Sequence, residues 1–185
     1  MNRAVFLDRD GTLNADSRDY IKNLDEFWLF PFTIEALKIL SRCGFRLVII
    51  TNQACIAKGL TTVEKVQKIH DFITAEFRIN GIILDGIFYC PHHPDAGCGC
   101  RKPKITNVLK AAKMNDIDLS KSWFIGDSKR DVETGKNAGC HTILVKTGLR
   151  ETIDAGNWNP APEYIMENLL AAARLIEQMK KENLK

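Results

Sequence analysis

Three cysteines and two histidines crowd into CPHHPDAGCGCRKP, residues 90–103. Cys90, His92, Cys98 and Cys100 offer three thiolates and one imidazole at the tight spacing of a closed tetrahedral zinc site. His93 is an alternative to His92, because only one imidazole completes the set. A closed set has no open position for water, so the expected zinc is structural rather than catalytic. The competing reading is a reduced loop without metal. Arg101 and Lys102 follow at once. A pinned loop would hold this basic pair rigid, and rigid donors lose less entropy when they bind an anion.

Oxygen donors gather elsewhere, in DRDGTLN from Asp8, TNQ from Thr51 and GDSKRD from Gly126. Asp8 and Asp10 stand in Asp-x-Asp spacing, and alternate side chains of an extended chain share a side. Asp127 and Asp131 bring two further carboxylates. Such a concentration of negative charge is costly unless a cation sits within it. Hard oxygen ligands suit Mg2+, which keeps waters and takes a substrate phosphate. The Thr51 hydroxyl, nearby backbone N–H groups and the Lys102 ammonium would bind a phosphoryl group. A carboxylate nucleophile, magnesium and phosphate-binding donors together describe phosphoryl transfer through an aspartyl-phosphate. Each motif alone is weak, since a lone Asp-x-Asp or GDxxxD is more often a cap or a solvated turn. Their joint occurrence, each after an apolar run, carries the reading.

The elements that must position these groups are legible as short apolar runs. AVFL precedes Asp8, RLVII precedes Thr51, GIFY precedes Cys90, SWFI precedes Gly126 and TILV precedes Lys146. Runs this short and apolar suit strands buried on both faces of a parallel sheet. Between them the spacing predicts helices over Thr33–Arg42, after Thr61, over Ile105–Met114 and over Asp131–Ala138, with a last one from Met166 to about Lys181. Thr61 and Glu64 have capping-box spacing for the second of these. Phe27, Trp28 and Phe30 of EFWLFPF are expected to pack on the core. The alternation predicts an α/β class, a Rossmann-like three-layer sandwich with a mainly parallel sheet in one domain, residues 1–185. Ligand sites of such sheets form beyond the carboxyl ends of the strands.

Composition bounds the rest. The 185 residues carry 26 Lys and Arg against 23 Asp and Glu, a formal net charge of +3. That is too small and too dispersed for a nucleic-acid footprint. A zinc-organised nucleic-acid module would also leave Asp8, Asp10 and Asp127 repelling phosphates. The opening MNRAVFLDRDG has neither a signal peptide's apolar core nor the length of a membrane span. A cytoplasmic protein with reduced thiols is expected, with no membrane or nucleic-acid partner and a monomeric state. Cys43, Cys55 and Cys140 then read as plain small residues.

DRDGT, TNQ, the Lys102 of RKP and GDSKRD resemble the four ordered motifs of the haloacid dehalogenase-like phosphatases, over about Ala4 to Leu149. The resemblance implies that Asp8 is the nucleophile and Asp10 the general acid and later the base. It implies magnesium on the Asp8 carboxylate, the Asp10 carbonyl and Asp127, with Thr51 and Lys102 on the transferring phosphoryl group. Asp131 would support the metal shell or cap a helix. The zinc loop is similar to that of the family's small branch of heptose-bisphosphate and histidinol-phosphate phosphatases. In that branch the substrate would be a small phosphorylated metabolite, a sugar bisphosphate or, alternatively, histidinol phosphate. The substrate contacts implied are Asp16, Asp19, Tyr20, Asn52, Gln53, Ala54, Arg101 and Ser128. No large cap domain is expected, because little chain lies between the motifs.

Overall fold

The computed structural model describes residues 1–149 and 154–182. Among the described residues six parallel strands form one sheet, β1 (Arg3–Leu7), β2 (Phe45–Asn52), β3 (Ile87–Cys90), β4 (Trp123–Gly126), β5 (His141–Val145) and β6 (Tyr164–Met166), in the order β3-β2-β1-β4-β5-β6. The helices are α1 (Thr33–Arg42), α2 (Val63–Ile79), α3 (Thr106–Asn115), α4 (Lys129–Asn137) and α5 (Leu169–Glu182).

Alternation along the central strand explains the layering. Val5 and Leu7 of β1 enter one core with Leu37 and Leu40 of α1, Ile69, Ile73 and Phe77 of α2, and Ala172 and Ile176 of α5. Ala4 and Phe6 enter the opposite core with Val108, Ala111 and Ala112 of α3. Both faces are covered, which is why the strands read as unbroken apolar runs rather than as alternating ones. The predicted three-layer α/β sandwich is thus the one observed.

Three local expectations change. The helix α2 is capped by Thr62, not Thr61: its side chain accepts the Lys65 N–H, while the Thr61 hydroxyl donates to the Lys22 carbonyl. The segment from Met166 is not helical at once. Tyr164–Met166 first pairs with Ile143–Val145 as an edge strand, too short to leave a periodic signal. Asn168 then accepts the Ala171 N–H at 2.9 Å, in the manner of an N-cap. Trp28 does not pack on the core; it is 71% exposed, whereas Phe27 is buried and Phe30 half-buried. The Trp28 carbonyl is held by the Ala15 N–H, and adjacent side chains on this extended segment face opposite ways.

Candidate active site

The carboxyl ends of β1, β2 and β4 meet at one rim, because β1 lies between β2 and β4. Asp8, Asp10, Asp16, Tyr20, Thr51, Asn52, Lys102, Asp127, Ser128 and Arg130 line the resulting cleft. A strand order that runs outward from β1 in both directions opens this crevice, where the loops after β1 and β4 part.

The acidic centre is buried and incompletely neutralised. Carboxylate oxygens of Asp8, Asp127 and Asp131 lie within 4.8 Å of one another. Lys102, 3% exposed, bridges two of them, with Nζ 2.7 Å from Asp8 Oδ1 and 2.6 Å from Asp131 Oδ1. Burial works against its charge, but the Asp131 and Asp8 carboxylates outweigh it and raise the pKa. Asp131 Oδ2 is taken by the Ser128 N–H and hydroxyl, at 3.0 and 2.5 Å, which also caps α4. Burial, reinforced by the Asp131 and Asp8 carboxylates, pushes Asp127 up to about 9. Asp8 is pushed up to about 7, by burial against the opposing pull of Lys102. Three acids around one ammonium leave a charge deficit that a divalent cation between Asp8 and Asp127 would cancel. The donor set therefore fits magnesium, which prefers hard oxygen.

Two glycines shape the Asp127 side of the cleft. A Cβ at Gly148 would stand 1.8 Å from Asp127 Oδ2, and one at Gly11 would stand 2.6 Å from the same atom. Gly11 also has φ +82°, a conformation that a side chain would strain. Its carbonyl accepts the Thr147 hydroxyl at 2.6 Å, tying the loop after β1 to the loop after β5.

Asp10 sits beside the acids with quite different neighbours. Arg9 donates from Nε to Oδ1 at 2.9 Å and from Nη2 to Oδ2 at 2.8 Å. Asn14 adds a bond to Oδ1 at 2.9 Å and Gln53 one to Oδ2 at 3.1 Å. Burial would raise its pKa, but the Arg9 charge and these hydrogen bonds prevail and lower it. Thr51 Oγ1 accepts from Gln53 Nε2 at 2.9 Å, so its own proton is free to donate toward the cleft.

The zinc-type cluster forms at the end of β3. Cys90, His92, Cys98 and Cys100 place one donor atom each within 4.8 Å of one another. Cys90 and Cys98 sulfurs are 3.5 Å apart, and His92 Nδ1 is 3.6 Å from Cys90 Sγ and 3.2 Å from Cys100 Sγ. A tetrahedron with metal–sulfur bonds of roughly 2.3 Å has edges of about 3.8 Å, so this set fits zinc. His92, not His93, completes the four; His93 Nδ1 is turned to Asp95, at 3.3 Å. The loop is then clamped to β2, where Asn52 Oδ1 accepts the Lys102 N–H at 3.0 Å and Asn52 Nδ2 donates to its carbonyl at 3.3 Å.

Full-length relatives carry this arrangement to a family. The D-glycero-beta-D-manno-heptose-1,7-bisphosphate 7-phosphatase of Pasteurella multocida is 37% identical over 187 residues, covering 97% of this chain and 100% of the relative. Its Escherichia coli K12 counterpart is 34% identical, covering 96% and 95% respectively. A D,D-heptose 1,7-bisphosphate phosphatase from B. bronchiseptica, crystallised with magnesium and phosphate, matches with a TM-score of 0.88 and 36% identity. That match spans 96% of this chain and 99% of the other. A family model described as "HAD-hyrolase-like" matches residues 99–172. This chain belongs to the heptose-bisphosphate phosphatases among the haloacid dehalogenase-like hydrolases.

Within this heptose-bisphosphate phosphatase-type site, the residues named from sequence fall in three places. Asp8, Asp10, Asp127, Thr51 and Lys102 converge, and Asp16, Tyr20, Asn52 and Ser128 line the same cleft. Arg101 lies in an adjoining groove with Pro94, Gly97, Cys98, Lys104 and Arg130. Gln53 and Ala54 are each 1% exposed and lie beneath the cleft rather than on its surface, and Asp19 is exposed outside it. Sequence reasoning missed Arg9, Asn14, His70 and Gly148, which support the acids from behind. In the sequence, only the charge of Arg9 between the two acids of DRDG could have pointed to them.

Proposed function

We propose that this chain removes the 7-phosphate of D-glycero-β-D-manno-heptose 1,7-bisphosphate, releasing inorganic phosphate and the heptose 1-phosphate. The observation that carries the reading is the cluster of Asp8, Asp127 and Lys102 beside Asp10, in a chain similar along its length to phosphatases of that name. In the first step the Asp8 carboxylate forms a bond to phosphorus as the bond to the sugar oxygen breaks, and that oxygen takes a proton from Asp10. In the second, water gives a proton to Asp10 while its oxygen bonds to phosphorus. The bond to Asp8 then breaks and restores the carboxylate. Magnesium, held by Asp8, Asp127 and the Asp10 carbonyl, would neutralise the phosphoryl oxygens when bound. Lys102 and the Thr51 hydroxyl stabilise the same oxygens.

Arg101 is the residue we assign to the second phosphate of the substrate. Its Nη1 is buried without a hydrogen-bond partner among the described residues, and Lys104 and Arg130 line the same groove. Zinc, in this reading, is structural and keeps Arg101 and Lys102 in place. A single catalytic domain acting as a cytoplasmic monomer completes the proposal, since one chain supplies every group named. The product would feed the making of nucleotide-activated heptose for lipopolysaccharide.

The test is phosphate release with magnesium from the heptose 1,7-bisphosphate, its 1-phosphate and 7-phosphate relatives, and histidinol phosphate, with Asp8→Asn as the blank. Preference for the bisphosphate is expected. Preference for histidinol phosphate would refute the substrate, and turnover by Asp8→Asn would refute the nucleophile.

A further inference from the structure

Arg9 is completely buried, although it is charged and stands between two acids of the cleft. A buried guanidinium is tolerated only when its hydrogen bonds are well made, and removal of one partner is strongly destabilising. Here its fork grips both oxygens of Asp10, the planar two-bond geometry that a lysine cannot reproduce. Neighbouring residues of an extended chain point apart, so this contact requires the chain to turn. It does: the Thr12 and Leu13 N–H groups both close onto the Arg9 carbonyl, and Gly11 N–H bonds to the Asn14 carbonyl.

The rest of the guanidinium is fixed from behind. Nη2 also donates to Gln53 Oε1 at 3.0 Å, and Nη1 lies 3.4 Å from His70 Nε2 on α2. Gln53 returns a bond from its other end to Asp10 Oδ2. Each Asp10 oxygen thus accepts two hydrogen bonds, Oδ1 from Arg9 and Asn14 and Oδ2 from Arg9 and Gln53, so a proton taken up by Asp10 displaces one of the neutral amides, while the side chain stays 20% exposed. We propose that Arg9, steadied by Gln53 and His70, is a positioning residue that holds the Asp10 carboxylate where it exchanges protons with the leaving oxygen and with the attacking water. This rests on the acid and base role given to Asp10 above.

The role separates from a purely structural one by its dependence on the leaving group. A nitrophenyl phosphate releases a stable phenolate, so its first step needs little help from an acid. Hydrolysis of the phospho-enzyme still needs Asp10 as a base. In Arg9→Lys the first-turnover release of nitrophenol is expected to slow by less than about threefold, while steady-state turnover slows about 100-fold, the low end for general base loss. The result is a burst of about one equivalent per site that exceeds the wild type's. Equal slowing of both phases, or no slowing of either, overturns the proposal.

Where Arg9→Lys does not fold, Gln53→Ala removes a neutral amide from the same network. It is expected to show the same burst with turnover slowed about 10-fold. Undiminished turnover in Gln53→Ala overturns the proposal equally. The aryl phosphate makes this readout independent of the natural sugar: a wild-type enzyme that cleaves it but not the heptose bisphosphate refutes the substrate reading alone.

Discussion

Lowering the pH should destabilise this protein through one histidine, by an amount the structure supplies. His70 is buried on α2 with its ring against Tyr89, at 5.2 Å between centroids, and near the Arg9 guanidinium. Burial, and secondly the positive charge of Arg9, depress its pKa from 6.5 to about 4. The unfolded chain therefore takes up this proton at higher pH than the folded one does. Stability from a neutral His70 is complete above the unfolded value of 6.5 and is lost as pH falls toward the folded value of about 4. At about 1.4 kcal/mol per pKa unit, the full loss is about 3 kcal/mol, of which about 2 kcal/mol falls between about pH 7 and about pH 4.5. Carboxylates titrate over part of the same range, so the measurement needs a reference. His70→Gln keeps an acceptor for Arg9 and does not titrate. Urea unfolding of both proteins across that range should show the wild type losing about 2 kcal/mol more than the variant. Parallel curves would refute the reasoning, because they would mean that His70 is protonated in the folded protein or open to water.

Gly148→Ala places a Cβ on Asp127 Oδ2; turnover should fall about 100-fold and the magnesium concentration for half activity should rise, as a displaced ligand requires. An unchanged magnesium titration would mean that the loop after β5 yields instead. Lys102→Met leaves Asp8 and Asp131 without their shared ammonium and should cost at least about 100-fold in turnover. Arg101→Ala should act mainly on KM for the bisphosphate, and the reverse ranking would exchange the two roles. Cys98→Ser should lower zinc content and thermal stability together, read by metal analysis and by melting of the same sample. Loss of zinc with an unchanged melting temperature would remove the loop from the stability of the fold.

Much of the site was legible because its motifs follow strands whose apolar runs are unbroken. Asp8, Thr51 and Asp127 each stand at or just past a strand end, so reading the runs placed them on one rim. The four zinc-type ligands were legible from donor chemistry, and the geometry decided between His92 and His93. What stayed hidden depends on side chains meeting across the fold. Nothing local says that His70, an α2 residue, faces Arg9, or that Gly148 abuts Asp127. Gln53 illustrates the limit well: its place in TNQ suggested a contact with substrate, yet the chain turns it beneath the cleft, where both ends of its amide are used. Edge strand β6 was missed because three residues give no period, and Trp28 was misjudged because burial on an extended segment depends on which neighbour faces in.

The two-point clamp between Asn52 and the Lys102 main chain separates two kinds of change in this protein. Lys102 is held on one side by strand β2, through bonds to its own backbone, and on the other by the loop whose cluster ends at Cys100. Residues 91–100 are anchored at one end by β3 and closed on themselves by the cysteine and histidine cluster. The surface of the loop can therefore change, and the groove around Arg101 be remodelled for another phosphorylated compound, as long as the cysteine and histidine cluster and Asn52 keep the ammonium that the chemistry needs in place. Changes at the loop surface and changes at the cluster or at Asn52 thus have different consequences, the first for the groove and the second for the ammonium.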